Sequence, residues 1–316
     1  MSQSTNTVPL PRRLLRWLFN DNSLYASLDT RERESIDPLR LALFVALHLG
    51  VFGVIYTGTS MVAVSVCAAL YLLRMFFITA FYHRYFSHRT YKVSRTMQFL
   101  FALAGCTAGQ RGPIWWASHH RHHHLCSDQP EDPHSPNRGL LESHMLWFLK
   151  KGNFATRTDK VNDLMRFREL RIVEALHWLP FAGLAITCYY SGVLLDSVYP
   201  ALGTSGPQML VWGFFISTIL LYHGTYTINS LAHRFGSRRF ETADDSRNNP
   251  LLAVLTLGEG WHNNHHRYPA STRQGFFWWE IDISYMILRL MAMAGLVQDM
   301  RPVPVAILRE ARGKSA

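Results

Sequence analysis

Sixteen histidines stand in this sequence of 316 residues, and thirteen of them fall in two polar stretches, mostly in compact groups. His83 and His88 form a pair. His120, His123 and His124 sit together beside His119 and His122, His233 stands apart, and His262, His265 and His266 complete the set. Imidazole is a ligand for iron, copper, zinc and nickel. The spacing HxxHH occurs twice, at His120, His123, His124 and at His262, His265, His266. At about 100° per residue these positions share one helix face, so three imidazoles can converge on metal. His83 and His88 lie roughly 140° apart around a regular helix and converge only where that helix ends or unwinds. Any one of these histidines alone would more often pack or meet solvent. Two copies of one spacing, each in a polar stretch that begins where an apolar run ends, are hard to explain that way.

Nine candidate ligands exceed the about four of a single tetrahedral zinc site, so two metals are expected. An all-imidazole set without a thiolate or bridging carboxylate is compatible with a non-haem di-iron centre, and spacing leaves a di-zinc centre open. Four cysteines without paired spacing support neither a disulfide framework nor a cysteine zinc site. Cys67 and Cys188 are expected to pack inside apolar runs. Asp128, Asp132, Asp245 and Glu259 are the carboxylates placed to accept the second ring N–H of a ligand and fix its tautomer. Ordinary capping or solvation is at least as good a reading for Asp128 and Asp245.

These groups need a frame, and the apolar residues supply it. The chain is 48% hydrophobic and 17% charged, with long apolar runs at residues 39–56, 60–82, 175–195 and 208–228. Each has about the length that crosses a bilayer. The expected fold is therefore an all-α integral membrane protein with four transmembrane helices in two hairpins and a helical cytoplasmic cap that holds the histidines. Its segments are a basic tail (1–38), a first hairpin (39–82), a cap segment with two histidine boxes (83–174), a second hairpin (175–228) and a last cap segment (229–316). Apolar stretches at 97–108 and 276–296 are too short or too charged to span and suit interfacial or cap helices. Arg12, Arg13 and Arg16 precede polar residues rather than a signal-peptide core, so the first span is expected to direct insertion. The net charge of +10 arises from six basic residues in 1–40, fourteen in 83–172 and eleven in 231–316. That distribution places the termini and the central segment in the cytoplasm and needs no nucleic acid. Arg74, His48 and His223, isolated inside spans, are expected to be satisfied structurally.

With HRYFSH at 83–88, HRHHH at 120–124, DPH at 132–134, NSLAH at 229–233 and GEGWHNNHH at 258–266, the chain resembles the membrane fatty-acid Δ9 desaturases, the stearoyl-CoA desaturase-like group. The resemblance runs from the first span to Asp299. It implies two irons held by His83, His88, His120, His123, His124, His233, His262, His265 and His266, with Asn229 reaching one metal through water. His119, His122, His134 and His144 fall outside that ligand pattern. It also implies a buried acyl tunnel bent at Gln110, Trp116 and Thr225 and closed near Tyr71 and Met75. Met75, eight residues or roughly 12 Å of helix before His83, would favour palmitoyl over stearoyl chains. Arg111, Ser118 and His119 depart from the residues that grip coenzyme A in the animal enzymes, which leaves acyl-CoA and acyl-lipid substrates both open.

The reaction so implied takes O2 and two electrons, removes two neighbouring hydrogens from an unactivated mid-chain position and releases water. No dinucleotide fingerprint, CxxC pair or haem domain is apparent, so a separate donor, ferredoxin or cytochrome b5-like with its reductase, is expected. Lys150, Lys151, Arg157, Lys160, Arg166 and Arg168 are candidates for its docking, with membrane topology as their alternative role. A histidine-box hydroxylase is the nearest rival. A metal transporter is disfavoured, because it would want its ligands inside the spans. With neither an appended electron-transfer domain nor an obvious retention signal apparent, a cell inner membrane is expected if the source is bacterial.

Overall fold

The computed structural model describes residues 10–313, with side chains from Leu14 onward. Residues 1–9 and 314–316 of the expected tail and last segment lie outside the described residues, as do the Arg12 and Arg13 side chains. Among the described residues the chain is helical, with only isolated bridges of extended pairing.

Four helices are long and apolar enough to cross a membrane: Pro38–Thr57, Met61–Ser87, Trp178–Val198 and Gly206–Ser230. Local chemistry starts three of them. Asp37 accepts the N–H groups of Leu39 and Arg40 ahead of Pro38, Ser60 accepts that of Ala63, and Ser205 accepts that of Gln208 beside Pro207. Each cap satisfies N–H groups that a first helical turn leaves free. The short connection before Met61 touches the one before Gly206, where Ser60 Oγ lies 2.7 Å from Thr204 Oγ1.

The fourth span is the hub. Half of it is buried, against a third of the second, 11% of the third and 6% of the first, and the other three all pack on it. Small residues permit this approach: a Cβ at Gly50 would strike the Phe215 ring, and one at Gly53 would strike Val211. Arg74, fully buried in the second span, donates to Thr218 Oγ1 at 2.9 Å and Ser217 Oγ at 2.6 Å of the fourth. An intramembrane guanidinium thus fastens two helices and is absent from both cavities described below.

The second long helix does not stop at residue 82, where the apolar run ends. It continues to Ser87 as a π-helix over Phe77–Ser87, so His83 lies on this helix rather than after it. The helix Arg95–Cys106 packs along that segment. Gly105 lets the Tyr82 ring lie against its backbone, and Phe81 stacks on Phe101. The second apolar stretch outside the spans contains the helix Ile283–Met293.

Candidate metal centre

The π-helix resolves the awkward spacing of the first pair. Its defining bond runs from residue i+5 to i, and here the His88 N–H donates to the His83 carbonyl at 3.2 Å. The two rings consequently stand on one face, 4.9 Å apart.

The helix Pro113–Cys126 carries the second group. Its first N–H groups are met from outside, for the Glu174 carboxylate accepts from Ile114 at 2.8 Å and Trp115 at 3.1 Å. Arg121 then ties this helix to the end of the second span. Its guanidinium donates to the carbonyls of Ser87 and Phe86, each at 2.8 Å, and to both oxygens of Asp163. A lysine has one ammonium where this fork has three nitrogens. Arg121→Lys is expected to lower stability by about 2 kcal/mol and to weaken metal retention, as thermal unfolding and metal analysis would register; unchanged metal content would deny Arg121 its positioning role.

The third group lies on the six-residue helix His262–Arg267, fixed by the two asparagines between its histidines. Asn263 accepts the Phe240 N–H at 2.7 Å, and Asn264 joins Asn248, Arg239 and Glu280. Sequence reasoning passed over both, although NN between metal-spaced histidines was the available signal.

These elements bring all nine histidines together, in two groups. His83, His88, His120, His124 and His265 form one; His123, His233, His262 and His266 form the other, the potential ligand atoms of each lying within 4.8 Å of one another. Neither HxxHH triplet converges on one point, as its shared helix face suggested. In the first triplet the i, i+4 pair joins the five-histidine group and the i+3 member joins the four. In the second the assignment is reversed.

Carboxylates fix the rings from behind. His123 Nδ1 meets Asp132 at 2.9 Å, His233 Nδ1 meets Asp128 at 2.9 Å, His266 Nδ1 meets Asp244 at 2.6 Å, and His83 Nδ1 meets Glu259. A ring that donates through Nδ1 presents an Nε2 lone pair inward. Asp245, one of the expected carboxylates, instead turns its side chain toward Arg238 at 3.6 Å and contributes only its backbone N–H to Asp128. Its neighbour Asp244 takes the place. Because the loop is irregular there, spacing could not choose between adjacent aspartates.

The inward nitrogens crowd: Nε2 atoms of His83 and His265 are 3.0 Å apart, as are those of His233 and His262, and buried His266 Nε2 has no partner. Lone pairs converging without enough protons between them fit a cation in each group. Burial, reinforced by neighbouring imidazoles, holds His88, His120, His124, His262 and His265 well below the usual imidazole range. Burial brings His266 down to about 4 despite Asp244. His123 moves upward, because Asp132 and other carboxylates together outweigh its burial. A histidine kept neutral when folded but free to protonate when unfolded costs stability as pH falls below about 6.5, by up to about 1.4 kcal/mol per pH unit for each group. The metal-free protein is therefore expected to lose thermal stability steeply from pH 7 to 5.5. A flat unfolding profile over that range would contradict a cluster of neutral imidazoles.

Two cavities adjoin the histidines. The larger, about 580 Å³, is bordered by Gln110, Trp116, His120, Thr225 and Asn229, with Phe44, Phe148, Phe181 and Phe215 among its apolar walls. The smaller, about 50 Å³, shares Trp116, His120, Thr225 and Asn229 and is bordered also by Met75, His83, His123 and His262. At the junction Trp116 Nε1 donates to Gln110 Oε1 at 3.3 Å, and Gln110 Nε2 donates to Thr225 Oγ1 at 3.1 Å. Asn229 thus borders both spaces one turn before His233. Met75 borders the smaller, but Tyr71 borders neither: its hydroxyl donates to the Leu255 carbonyl at 2.7 Å, and it stands with Met75 against Gly224.

The remaining singled-out residues have other partners. His134 shares Asp132 with His123 at 3.3 Å, and His122 meets the Glu131 carbonyl. His48, His223 and His144 form a chain, with nitrogen separations of 3.2 and 3.0 Å, ending on Ser230. Ser118 is fully buried and donates to the Trp115 carbonyl, while buried His119 meets that of Ala155. Arg111 borders the larger cavity.

The fatty acid desaturase family profile matches residues 37–294. Delta-9 acyl-lipid desaturase 1 of Arabidopsis thaliana is 39% identical over 76% of this chain and 75% of its own length. The sn-1 stearoyl-lipid 9-desaturase of Anabaena variabilis is 33% identical over 87% of this chain and 97% of its own. An acyl-CoA C20 Delta5-desaturase of Anemone leveillei is 36% identical over 75% and 73%.

Proposed function

We propose that this chain, which belongs to the fatty acid desaturase family, places a cis double bond at the Δ9 position of a saturated acyl chain, palmitoyl in preference to stearoyl, using O2 and two electrons. The observation that carries the reading is the junction of a five-histidine and a four-histidine group with a mostly apolar cavity and a smaller space that shares Trp116, His120, Thr225 and Asn229 with it. Nine imidazoles without a thiolate suit two non-haem irons, with Asn229 approaching one through water. When bound, the irons supply the oxidising power that unactivated C–H bonds require and that side-chain acids and bases lack.

The protein's own groups do the rest. Asp128, Asp132, Asp244 and Glu259 orient the ligands. The hydrogen-bonded Gln110, Trp116 and Thr225 hold the bend, which selects the eclipsed conformer leading to a cis product and fixes the carbon pair presented. The apolar walls exclude water. In the arrangement we favour, two helical hairpins span a cell inner membrane and the histidine-bearing part forms a cytoplasmic cap, consistent with the basic residues of its segments. Electrons come from a separate ferredoxin or cytochrome b5-like carrier. Exposed Arg166 and Arg168 suit its docking better than Lys150, which is engaged by Glu34 and Glu142.

The test is lipid analysis by gas chromatography–mass spectrometry in a host without Δ9 products, with double bonds located by derivatisation. The expected result is a Δ9 monoene, C16 above C18, from the intact chain alone and none from His265→Ala. Hydroxylated chains would reassign it as a histidine-box hydroxylase. An unchanged profile, with purified protein carrying zinc rather than iron, would sink oxygen chemistry altogether.

A further inference from the structure

The larger cavity also borders four residues that the desaturation reading does not use: Trp17, Arg40, Arg111 and Trp178. Arg40 and Arg111 are more than nine-tenths buried, and both guanidiniums lie against the Phe154 ring. Two like charges on one half-buried ring repel unless anions join them, and the buried Glu174 carboxylate beside Arg111 spends its Oε2 on the N–H groups of Ile114 and Trp115. Their existing partners are few. Arg40 donates to the Tyr25 hydroxyl and has Asp37 at 3.9 Å, with Asp37 also capping the first span. Arg111 donates to the Phe154 carbonyl at 2.7 Å and to Asn20. Left without a hydrogen-bond acceptor are Arg40 Nε and Nη1, Arg111 Nε, Trp17 Nε1 and Trp178 Nε1, all buried, with Asp37 too far from Nη1 to bond it. Five such donors bordering one cavity call for a ligand rich in anionic oxygens.

Their depth says what carries those oxygens. Arg40 lies in the first turn of the first span, and Trp178 opens the third. Both spans pack on the fourth, and Leu43 and Leu47 of the first, with Phe181 and Ala182 of the third, continue the cavity as an apolar wall. Tryptophan and arginine at span ends mark the level of lipid headgroups. An acyl chain between these walls has its polar end at the arginines when that end sits at headgroup depth.

We propose that Arg40 and Arg111, assisted by the Trp17 and Trp178 indoles, form a subsite for the phosphodiester of a membrane glycerophospholipid, which enters between the first and third spans as the acyl substrate. The proposal rests on the acyl-desaturase reading and names its carrier. A phosphate could equally arrive on a soluble thioester such as palmitoyl-CoA, so the test carries both.

Full-length protein in detergent is titrated by native mass spectrometry with dipalmitoyl phosphatidylglycerol, with the uncharged dipalmitoyl monogalactosyl glycerol and with palmitoyl-CoA. Arg40→Gln and Arg111→Gln are each expected to weaken phosphatidylglycerol about tenfold or more, as befits lost charge-assisted hydrogen bonds, and to leave the galactolipid unchanged. Trp17→Phe and Trp178→Phe should each weaken it about threefold. If the galactolipid binds as tightly as the phospholipid, or if palmitoyl-CoA binds tightest and is the ligand lost on substitution, the subsite is overturned. Should the arginine variants fail to fold, the two indole variants decide, and unchanged phosphatidylglycerol affinity in both overturns it as well. Binding is read without turnover, so a phospholipid held through the arginines yet never desaturated would uphold the subsite and sink the proposed reaction.

Discussion

His120→Ala combined with His265→Ala is expected to leave about one metal per chain, whereas His120→Ala combined with His123→Ala is expected to leave almost none. Each variant deletes two imidazoles, and the second deletes them from one sequence motif. The difference comes from the crossed assignment: His120 and His265 belong to the same five-membered group, while His120 and His123 belong to different groups. In the first variant the four-histidine group keeps every ligand and every carboxylate behind it. In the second both groups are broken, and losing even an outer partner of a ligand typically costs 10- to 100-fold in metal affinity. Desaturation should be undetectable in both, a loss of roughly a thousandfold or more, because the proposed chemistry uses both metals. Metal content by plasma mass spectrometry separates the variants where activity cannot. The reverse order, with the same-box variant keeping about one metal and the other almost none, would mean that each box, rather than each spatial group, holds its own ion.

How far the sequence could reach is visible in these same residues. The four spans were legible because about twenty apolar residues in a row leave a helix few alternatives, and the nine histidines because their spacing repeats. Their partition was not legible. A regular helix puts His83 and His88 far apart, and only the π-segment, which no local residue pattern announced, closes that gap. Within each HxxHH triplet the i+3 ring stands about 60° to one side of the first and the i+4 ring about 40° to the other, and which group each joins depends on where the facing helix stands. Asp244 and Asp245 differ by one residue in an irregular loop, so tertiary placement alone selects the former. Tyr71 shares a helix face with Met75, yet only Met75 borders the cavity. The hub role of the fourth span was likewise hidden, since hydropathy shows that a helix can cross a membrane without showing what it packs against.

The largest change in selectivity is expected at Met75, the proposed end of the acyl path. Met75 borders the smaller cavity, and Gly224 of the fourth span faces it so closely that an added Cβ would lie 3.0 Å from Met75 Cε and 2.9 Å from the Tyr71 hydroxyl. Met75→Ala removes three heavy atoms from the end wall and opens room for about two methylenes. Burying a methylene is worth about 0.8 kcal/mol, so two favour the longer chain by about 1.6 kcal/mol, or roughly 15-fold in kcat/KM for stearoyl over palmitoyl relative to the native chain. Gly224→Ala acts in the opposite sense. Its new methyl has the Tyr71 hydroxyl, anchored on the Leu255 carbonyl, on one side and a flexible thioether on the other, so Met75 is the side chain that yields, into the small cavity, and the optimum is expected to move toward myristoyl. On the proposed reading the double bond should stay at Δ9 throughout, because the carbon pair is registered by the hydrogen-bonded Gln110, Trp116 and Thr225, which neither substitution touches. Competition assays with mixed chain lengths read both quantities at once. Opposite shifts in length at constant double-bond position place the methyl end of the substrate against Met75. A shift in double-bond position instead would mean that the chain is measured from its methyl end, and no shift in either variant would remove Met75 from the acyl path.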